Sequence, residues 1–259
     1  MLNKKIFRIG AFMLAILLSV GVLLFSNSLV GNPISALMAR RTAENHVELH
    51  YGDKGCYVEG VRYDFKLGCY RAGVSTPGSI DGDFSLSISF LGKLLNDSYE
   101  SKVQNGGNAQ NRLYFEYREH FDKVIDSPVY PYSVSLGYAE LEFGRTQDVD
   151  SEVYIEYPVF EPENDRFYDV GELGKTNGNI VLVIDDDMVT AEKAAEILLK
   201  TKELLDDAGV GFYSVSFVLQ YPPYSEDNYS RPDGRIGRDG ILYEQIKVET
   251  LVQLFSTFE

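Results

Sequence analysis

The sequence is poor in the residues from which catalytic and cofactor sites are most often built. Its 259 residues include three His, two Cys and no Trp. The histidines lie in predicted helices and no Ser stands in a Gly-x-Ser-x-Gly context, so the sequence offers no recognisable nucleophile triad. It also has no Gly-rich phosphate loop, no internal repeat and no low-complexity tract. We therefore expect no catalytic residue, no metal ligand set and no cofactor.

Basic residues are scarce in the C-terminal half. Residues 128–259 carry 10 basic and 26 acidic groups, net −16, whereas residues 32–127 carry 11 basic and 13 acidic groups, net −2. Such a surface repels phosphate backbones, which excludes nucleic acid as an expected partner. The simplest interpretation of the acidity is solubility. The alternative is recognition of a basic or cationic partner of the cell envelope.

The N-terminal segment is the longest apolar stretch. Lys4, Lys5 and Arg8 precede an uncharged run that, counted through Ser26-Asn27-Ser28 to Val30, spans ~33 Å as a helix. This predicts a single transmembrane helix over residues 1–31, acting as a signal anchor. The positive-inside rule would then place the rest of the chain outside the cytoplasm, on the far side of the cell membrane. A cleaved signal peptide is the alternative, although its apolar region is usually shorter.

Residues 32–127 predict a small α+β domain. Asn32-Pro33 begins a helix whose small apolar residues recur at helical spacing, and Gly52 ends it. Three strands follow, at 57–65, 69–74 and 84–90, the last with a clean alternation of apolar residues and Ser. A helical stretch begins near Asn96, is broken at Gly106-Gly107 and resumes as an amphipathic helix that ends before Pro128. The order is helix, three strands, helix.

Residues 128–259 predict a second, acidic α+β domain with a mixed sheet. Two alternating strands, at 132–143 and 152–157, precede an acidic loop over 161–178. A continuous apolar strand at Ile180–Ile184, a helix capped by Thr190 and a strand at 212–221 suggest a crossover unit. Residues 222–240 predict a mobile loop, 241–246 a last strand and 248–255 a short closing helix.

Several segments together resemble the YfjL-like family of uncharacterised, membrane-anchored proteins of Gram-positive bacteria. The resemblance covers nearly the whole chain and implies an envelope location and a two-domain division. It carries over no functional residue. The segments are Asn32-Pro33-Ile34-Ser35, Val61-Arg62-Tyr63-Asp64-Phe65-Lys66, Ser75-Thr76-Pro77-Gly78-Ser79-Ile80-Asp81, Asn111-Arg112-Leu113 to Tyr117, Ile180–Ile184, Ala191–Leu205 and Phe212–Ser216.

Two groups of residues have spacings that metal sites use. His46 and His50 stand four residues apart on the first helix, but no third ligand is evident, so a structural role at the helix end is favoured. Asp185, Asp186 and Asp187 follow a buried strand and precede a helix, where α/β proteins place Mg²⁺ or Ca²⁺ sites. Without a phosphate loop, we expect these acids to stabilise the helix N-terminus instead.

The other polar groups favour structural roles. Asp81 and Asp83 flank a turn at Gly82, the acids at 148, 150 and 152 suggest a solvated loop, and His120 stands alone on its helix. If the hairpin turns at Lys66–Gly68, Cys56 and Cys69 lie roughly 30 Å apart along their strands. A disulfide needs Cα atoms within ~7 Å, so we expect none.

These observations favour a non-enzymatic binding or accessory module of the cell envelope. The main alternative is a membrane-tethered enzyme with a carboxylate and divalent-metal site near Asp185–Asp187. A sensory extracytoplasmic module is a third alternative, although only Met1 to Arg8 precede the apolar run. Because function resides in sites and not in folds, the fold prediction does not decide among them.

Overall fold

The chain folds into two compact units, each built on its own four-stranded sheet. The computed structural model describes residues 2–144, 155–222 and 234–256. The first unit covers Met1–Asn108 and the second Ala109–Glu259. The predicted α+β class with two sheet-containing parts is confirmed.

The first helix corrects the prediction of a membrane anchor. Helix α1 runs from Leu2 to Val30. Over the residues that the structure describes, no helix combines the length and the apolar character needed to cross a membrane. The predicted span was counted through Ser26-Asn27-Ser28, three polar residues that interrupt the apolar run. The prediction of a transmembrane helix and signal anchor is therefore wrong.

The second helix begins where the sequence predicts it. Helix α2 spans Pro33–Tyr51, with Pro33 in its first turn and the Asn32 side chain accepting a hydrogen bond of 2.7 Å from the Ser35 amide. Its buried face consists of small residues, which let the helix lie close against the sheet: Ser35, Ala39, Ala43 and Val47.

The first sheet is antiparallel throughout, in the order β1-β2-β3-β4. Its strands are β1 (Tyr57–Asp64), β2 (Cys69–Ser75), β3 (Phe84–Ile88) and β4 (Leu94–Asp97). The three predicted strands are confirmed, but β4 was missed because the sequence suggested a helical stretch there. Four residues are too few to show a period, and β4 is defined by its pairing with β3. A π-helical turn at Glu100–Gln104 follows it.

The junction between α1 and α2 requires a glycine. Gly31 has φ +75°, and a Cβ there would lie 2.8 Å from ring atoms of Tyr63 and from the hydroxyl of Tyr70. That hydroxyl donates to the Asn32 carbonyl at 3.0 Å and accepts from the Asn32 amide at 2.8 Å. The start of α2 is thus fixed to β2 by one buried tyrosine.

The long helix α3, Gly107–Ile125, belongs to the second core. Its inner side chains Leu113, Tyr117, Phe121 and Ile125 are buried together with residues of the second sheet. The compact division therefore falls after Asn108, whereas the sequence placed it before Pro128, where the helical pattern ends. Amphipathic periodicity identifies a helix but not the core against which it packs.

The second sheet contains the predicted crossover unit. Strands β5 (Ser133–Leu141), β6 (Gly178–Asp185), β7 (Ser214–Gln220) and β8 (Arg235–Leu242) lie in that order. Strands β6 and β7 are parallel, and helix α5 (Ala191–Asp207), capped by Thr190, connects them. The pairs β5–β6 and β7–β8 are antiparallel, so the predicted mixed sheet is confirmed. Helix α6 (Val248–Ser256) closes the chain as predicted.

Other parts of the second unit differ from the prediction. Helix α4 (Val170–Asn177) occupies much of the predicted acidic loop, with Asp169 as its N-cap. Strand β8 starts six residues before the strand predicted at 241–246, within the predicted loop 222–240. Residues 223–233 of that loop, and 152–154 of the strand predicted at 152–157, lie outside the described residues. Residues 155–157 are not in a strand.

Helix α4 approaches the chain before β7 more closely than a side chain would allow. A Cβ on Gly174 would stand 2.0 Å from the Gly211 carbonyl oxygen and 2.7 Å from the Tyr117 ring. Tyr117, which is fully buried, donates a hydrogen bond of 2.8 Å to that same carbonyl. Three elements therefore meet at Gly174.

We expect Gly174→Ala to lower the free energy of unfolding of the second unit by about 1–3 kcal/mol, because backbone must shift to admit the methyl group. Urea unfolding followed by circular dichroism measures the change. Gly52→Ala is the matched control, since Gly52 has helical φ and ψ and nothing within 4 Å of its Cβ position. Equal stability of the two variants would contradict the close packing.

Candidate functional site

The histidine pair singled out by its spacing is part of a hydrogen-bonded network. The His46 and His50 rings lie 4.5 Å apart, but His46 Nε2 is 2.7 Å from Asp97 Oδ2. Across the described parts of the chain, no three His, Cys, Asp or Glu side chains form a group that could hold a metal ion. His46 therefore connects α2 to β4.

Asp97 is the centre of this network. Besides His46, the Tyr51 hydroxyl donates to Oδ2 at 2.7 Å and the Tyr99 amide to Oδ1 at 2.9 Å. Burial raises the pKa of Asp97, but the hydrogen bonds from His46, the Tyr99 amide and Tyr51 outweigh it, and the net pKa lies below the usual value. Burial and then the bond to Asp97 raise the pKa of Tyr51.

Aromatic and cationic contacts extend the network. The Tyr51 and Tyr99 rings lie 4.5 Å apart, and both meet Phe84 edge-on. Lys54 Nζ donates to the Tyr99 hydroxyl at 2.5 Å and stands 4.3 Å from the ring centroid. These contacts fasten the end of α2 to the sheet, which is a structural role.

Asp185, the last residue of β6, and Asp186, which follows it, have separate partners. Asp185 accepts hydrogen bonds from the Ser135 hydroxyl on β5 and, at 3.0 Å, from Gln220 Nε2 on β7. Asp186 accepts from the Met188 amide at 2.8 Å and so closes a turn. The N-cap of α5 is Thr190, which accepts from the Lys193 amide. The acids thus join strands and shape the turn before the helix.

The structure describes three of the other polar residues that the sequence singles out, namely Asp81, Asp83 and His120. Asp83 accepts from the Ser75 hydroxyl and the Thr76 amide, as expected of a turn residue, and the Asp81 carbonyl accepts from the Asn108 side chain. His120 is exposed on α3. Asp148, Asp150 and Glu152 lie outside the described residues.

Both cysteines are free, as predicted. Strand pairing sets Asp64 opposite Cys69 beside the hairpin turn, whereas Cys56 precedes β1 at the far end of the hairpin. Cys56 Sγ lies 3.3 Å from the Thr76 hydroxyl, and Cys69 is buried. The predicted hairpin position is confirmed.

A groove that the sequence did not reveal runs over the outer face of the first sheet. Helix α2 covers the opposite face, where the alternate residues Ala72, Val74 and Leu86 are buried. The groove has a volume of about 780 Å³, within the range of ~300–1,000 Å³ usual for ligand pockets. Its lining comes from β1, the hairpin turn, β2 and Ser85 of β3.

Two arginines face each other in this groove. Arg62 of β1 is paired directly with Arg71 of β2, and two places further along Gly60 is paired with Gly73. Arg71 forms a long ion pair with Asp64, with 3.8 Å between Nη2 and Oδ2. Among the described residues, Arg62 has no ion-pair partner. The arrangement places two guanidinium groups beside two glycines, with Glu59 and Ser85 also bordering this part of the groove.

Hairpin register is the signal that would have revealed the groove. With Asp64 opposite Cys69, two residues back along β1 and two residues forward along β2 bring Arg62 opposite Arg71. The turn itself has a local signal in the sequence, whereas the two arginines become neighbours only through the pairing of β1 with β2.

Comparison with known proteins identifies both units. Residues 3–97 match the family model described as YfjL-like, N-terminal domain, and residues 116–256 match YfjL-like C-terminal domain. The chain belongs to the YfjL-like family. No curated protein and no solved structure matches it.

The family domains separate the two candidate regions. All residues that line the groove lie in the YfjL-like N-terminal domain, as do His46, Tyr51 and Asp97 of the network, whereas Tyr99 follows the matched residues. Asp185, Asp186 and Asp187 lie in the YfjL-like C-terminal domain. The first turns of α3 fall between the two matches. The groove is therefore a feature of one domain alone.

We expect Asp97→Asn to destabilise the N-terminal domain by about 1.5–3 kcal/mol at pH 7, because Asn removes the negative charge that strengthens the hydrogen bonds from His46 and Tyr51 and leaves one acceptor oxygen instead of two. Asp53→Asn, an exposed substitution, is the control and should change little. Urea unfolding measures both.

The contribution of Asp97 to the stability of the domain depends on pH. Since the folded pKa of Asp97 lies below its unfolded value, its stabilisation is present above the unfolded pKa and is lost as the pH falls through the folded one. The difference between wild type and Asp97→Asn should therefore shrink below about pH 4. A difference that stays constant down to pH 2 would show that the Asp97 charge does not stabilise the fold.

Proposed function

We propose that this YfjL-like protein is a non-enzymatic binding or accessory module whose binding surface is the groove of the N-terminal domain. One observation carries the proposal, namely the cross-strand pair of Arg62 and Arg71 on an open sheet face. Like charges directly opposite each other destabilise a sheet, and Asp64 offsets only the charge of Arg71, at 3.8 Å. Such a departure from local preference is expected where a ligand compensates for it.

The chemistry of the predicted polar residues supports binding over catalysis. Asp97 and Asp185 already accept hydrogen bonds from neighbouring side chains, and Asp186 accepts one from a backbone amide. A general base must be able to reach a substrate proton. These carboxylates are instead committed to holding elements of the fold together.

A second proposal concerns the acidic C-terminal domain. Residues 109–259 carry 13 basic and 30 acidic groups, net −17, whereas residues 1–108 carry 11 basic and 9 acidic groups, net +2. This asymmetry supports a basic or cationic partner for the second unit. Such a contact would form quickly and weaken with salt. A complex whose affinity does not change on addition of salt would contradict it.

The location of the protein outside the cytoplasm stays a prediction.

The groove can be tested by photo-cross-linking in cells that express the full chain. Phe65 borders the groove and is 60% exposed, so a p-benzoylphenylalanine in its place should form a discrete adduct with the bound partner. The same probe in place of Leu49, which is exposed on α2 outside the groove, should not form that adduct.

A filling substitution completes this test. Gly73→Val should abolish the adduct, because a Cβ at Gly73 meets only Glu59 Oε2, at 3.9 Å, and so fills the groove without disturbing the fold. Gly52→Val, outside the groove and with nothing within 4 Å of its Cβ position, is the matched control and should leave the adduct intact. The proposal fails if Gly73→Val has no effect or if Leu49 gives the same adduct.

The enzyme alternative is tested at the C-terminal domain. We expect Asp185→Asn, Asp186→Asn and Asp187→Asn to lower the melting temperature only slightly, since Asn can replace most of the accepted hydrogen bonds. Mg²⁺ or Ca²⁺ should shift the melting temperature of wild type and variants equally, through general screening of the negative charge. A metal-dependent rise in wild type that one substitution removes would instead support a metal site.

A further inference from the structure

The charges that line the groove leave one positive charge in excess. Its basic side chains are Arg62, Lys66 and Arg71, and its acidic side chains are Glu59 and Asp64. A ligand group with a single negative charge therefore balances the groove. A phosphate group carries about −1.5 to −2 at neutral pH and would leave it negative.

Asp64 is mainly occupied by the hairpin turn. Its Oδ1 accepts from the Lys66 amide at 3.0 Å and from the Leu67 amide at 3.2 Å. Its other oxygen is 3.8 Å from Arg71, beyond hydrogen-bonding distance, and the Arg71 side chain is 53% exposed. Both arginines thus retain donors for a ligand.

The floor of the groove lets a ligand approach the backbone. A Cβ on Gly60 would meet nothing within 4 Å, and Gly73 lies directly opposite. Phe65 offers an exposed ring at the rim. A carboxylate next to an apolar or aromatic group fits this combination of two guanidinium groups, an open floor and a ring.

We propose that the groove binds a carboxylate side chain from an acidic peptide segment of a partner protein, held between Arg62 and Arg71. This inference rests on the proposed function and names the chemistry of the ligand. The neighbouring residue of the partner peptide packs against Phe65. Glu59 and Asp64 then select against segments with several adjacent acids.

Three peptides that differ at one position test the ligand class. They are acetyl-Gly-Glu-Phe-Gly-amide, its Gln counterpart and its phosphoserine counterpart, each titrated into the ¹⁵N-labelled full chain. The amide signals of Gly60 and Gly73 report on binding. We expect the Glu peptide to shift both signals and the Gln peptide to bind about tenfold more weakly, because it loses the charged hydrogen bonds.

Variants locate the site. Arg62→Gln and Arg71→Gln should each weaken binding of the Glu peptide about tenfold. Arg40→Gln should change it less than about twofold, since Arg40 pairs with Glu44 on α2, outside the groove. The amide spectrum of each variant shows whether it remains folded.

Equal binding of the Glu and Gln peptides, tighter binding of the phosphoserine peptide, or no binding at all would overturn the inference. So would unchanged affinity in Arg62→Gln and Arg71→Gln. If the peptides fail while the cross-link at position 65 still depends on Gly73, the ligand class is wrong but the binding surface stands. If the cross-link also fails, the proposed function is wrong as well.

Discussion

The antiparallel pairing of β1 with β2 is the constraint on which the groove depends. Asp64 fixes the hairpin by accepting the amides of Lys66 and Leu67, and Gly68 completes the turn with φ +63°. From that point the register sets Arg62 against Arg71. A slip of one residue would turn these side chains toward α2 and bring the core residues to the surface. The groove is thus specified by the same contacts that form the core.

The core beneath the sheet compensates for the unfavourable charge pair above it. Tyr70, Ala72 and Leu86 are buried against the small residues of α2, and the Asp97 network fastens the end of that helix. Cross-strand pairs contribute about 0.2–1 kcal/mol each, whereas full burial of one large apolar side chain contributes about 1.5–3 kcal/mol. The domain can therefore carry two opposed arginines on its outer face and remain folded.

Elements that carry their own cap, first turn or alternation of residues could be predicted from the sequence. Elements whose conformation depends on contacts with distant parts of the chain could not. Asn32-Pro33 gives α2 its cap and first turn, and the alternation from Phe84 onward identifies β3. Strand β4 and helix α4 are short, and tertiary contacts decide their conformation.

The candidate site was missed because it depends on residues far apart in sequence. Arg62 and Arg71 are unremarkable on separate strands and become a pair only through the register. The histidines and aspartates that drew attention by their local spacing are instead committed to partners within the fold, as at Asp97 and Asp185. A carboxylate whose hydrogen bonds are made within the fold stabilises the structure, whereas Arg62, which lies beside Arg71 and has no ion-pair partner among the described residues, can bind an anion supplied by a ligand. The outer face of the first sheet therefore has charged groups that are available to a ligand, whereas the polar groups of the local motifs already have partners within the fold.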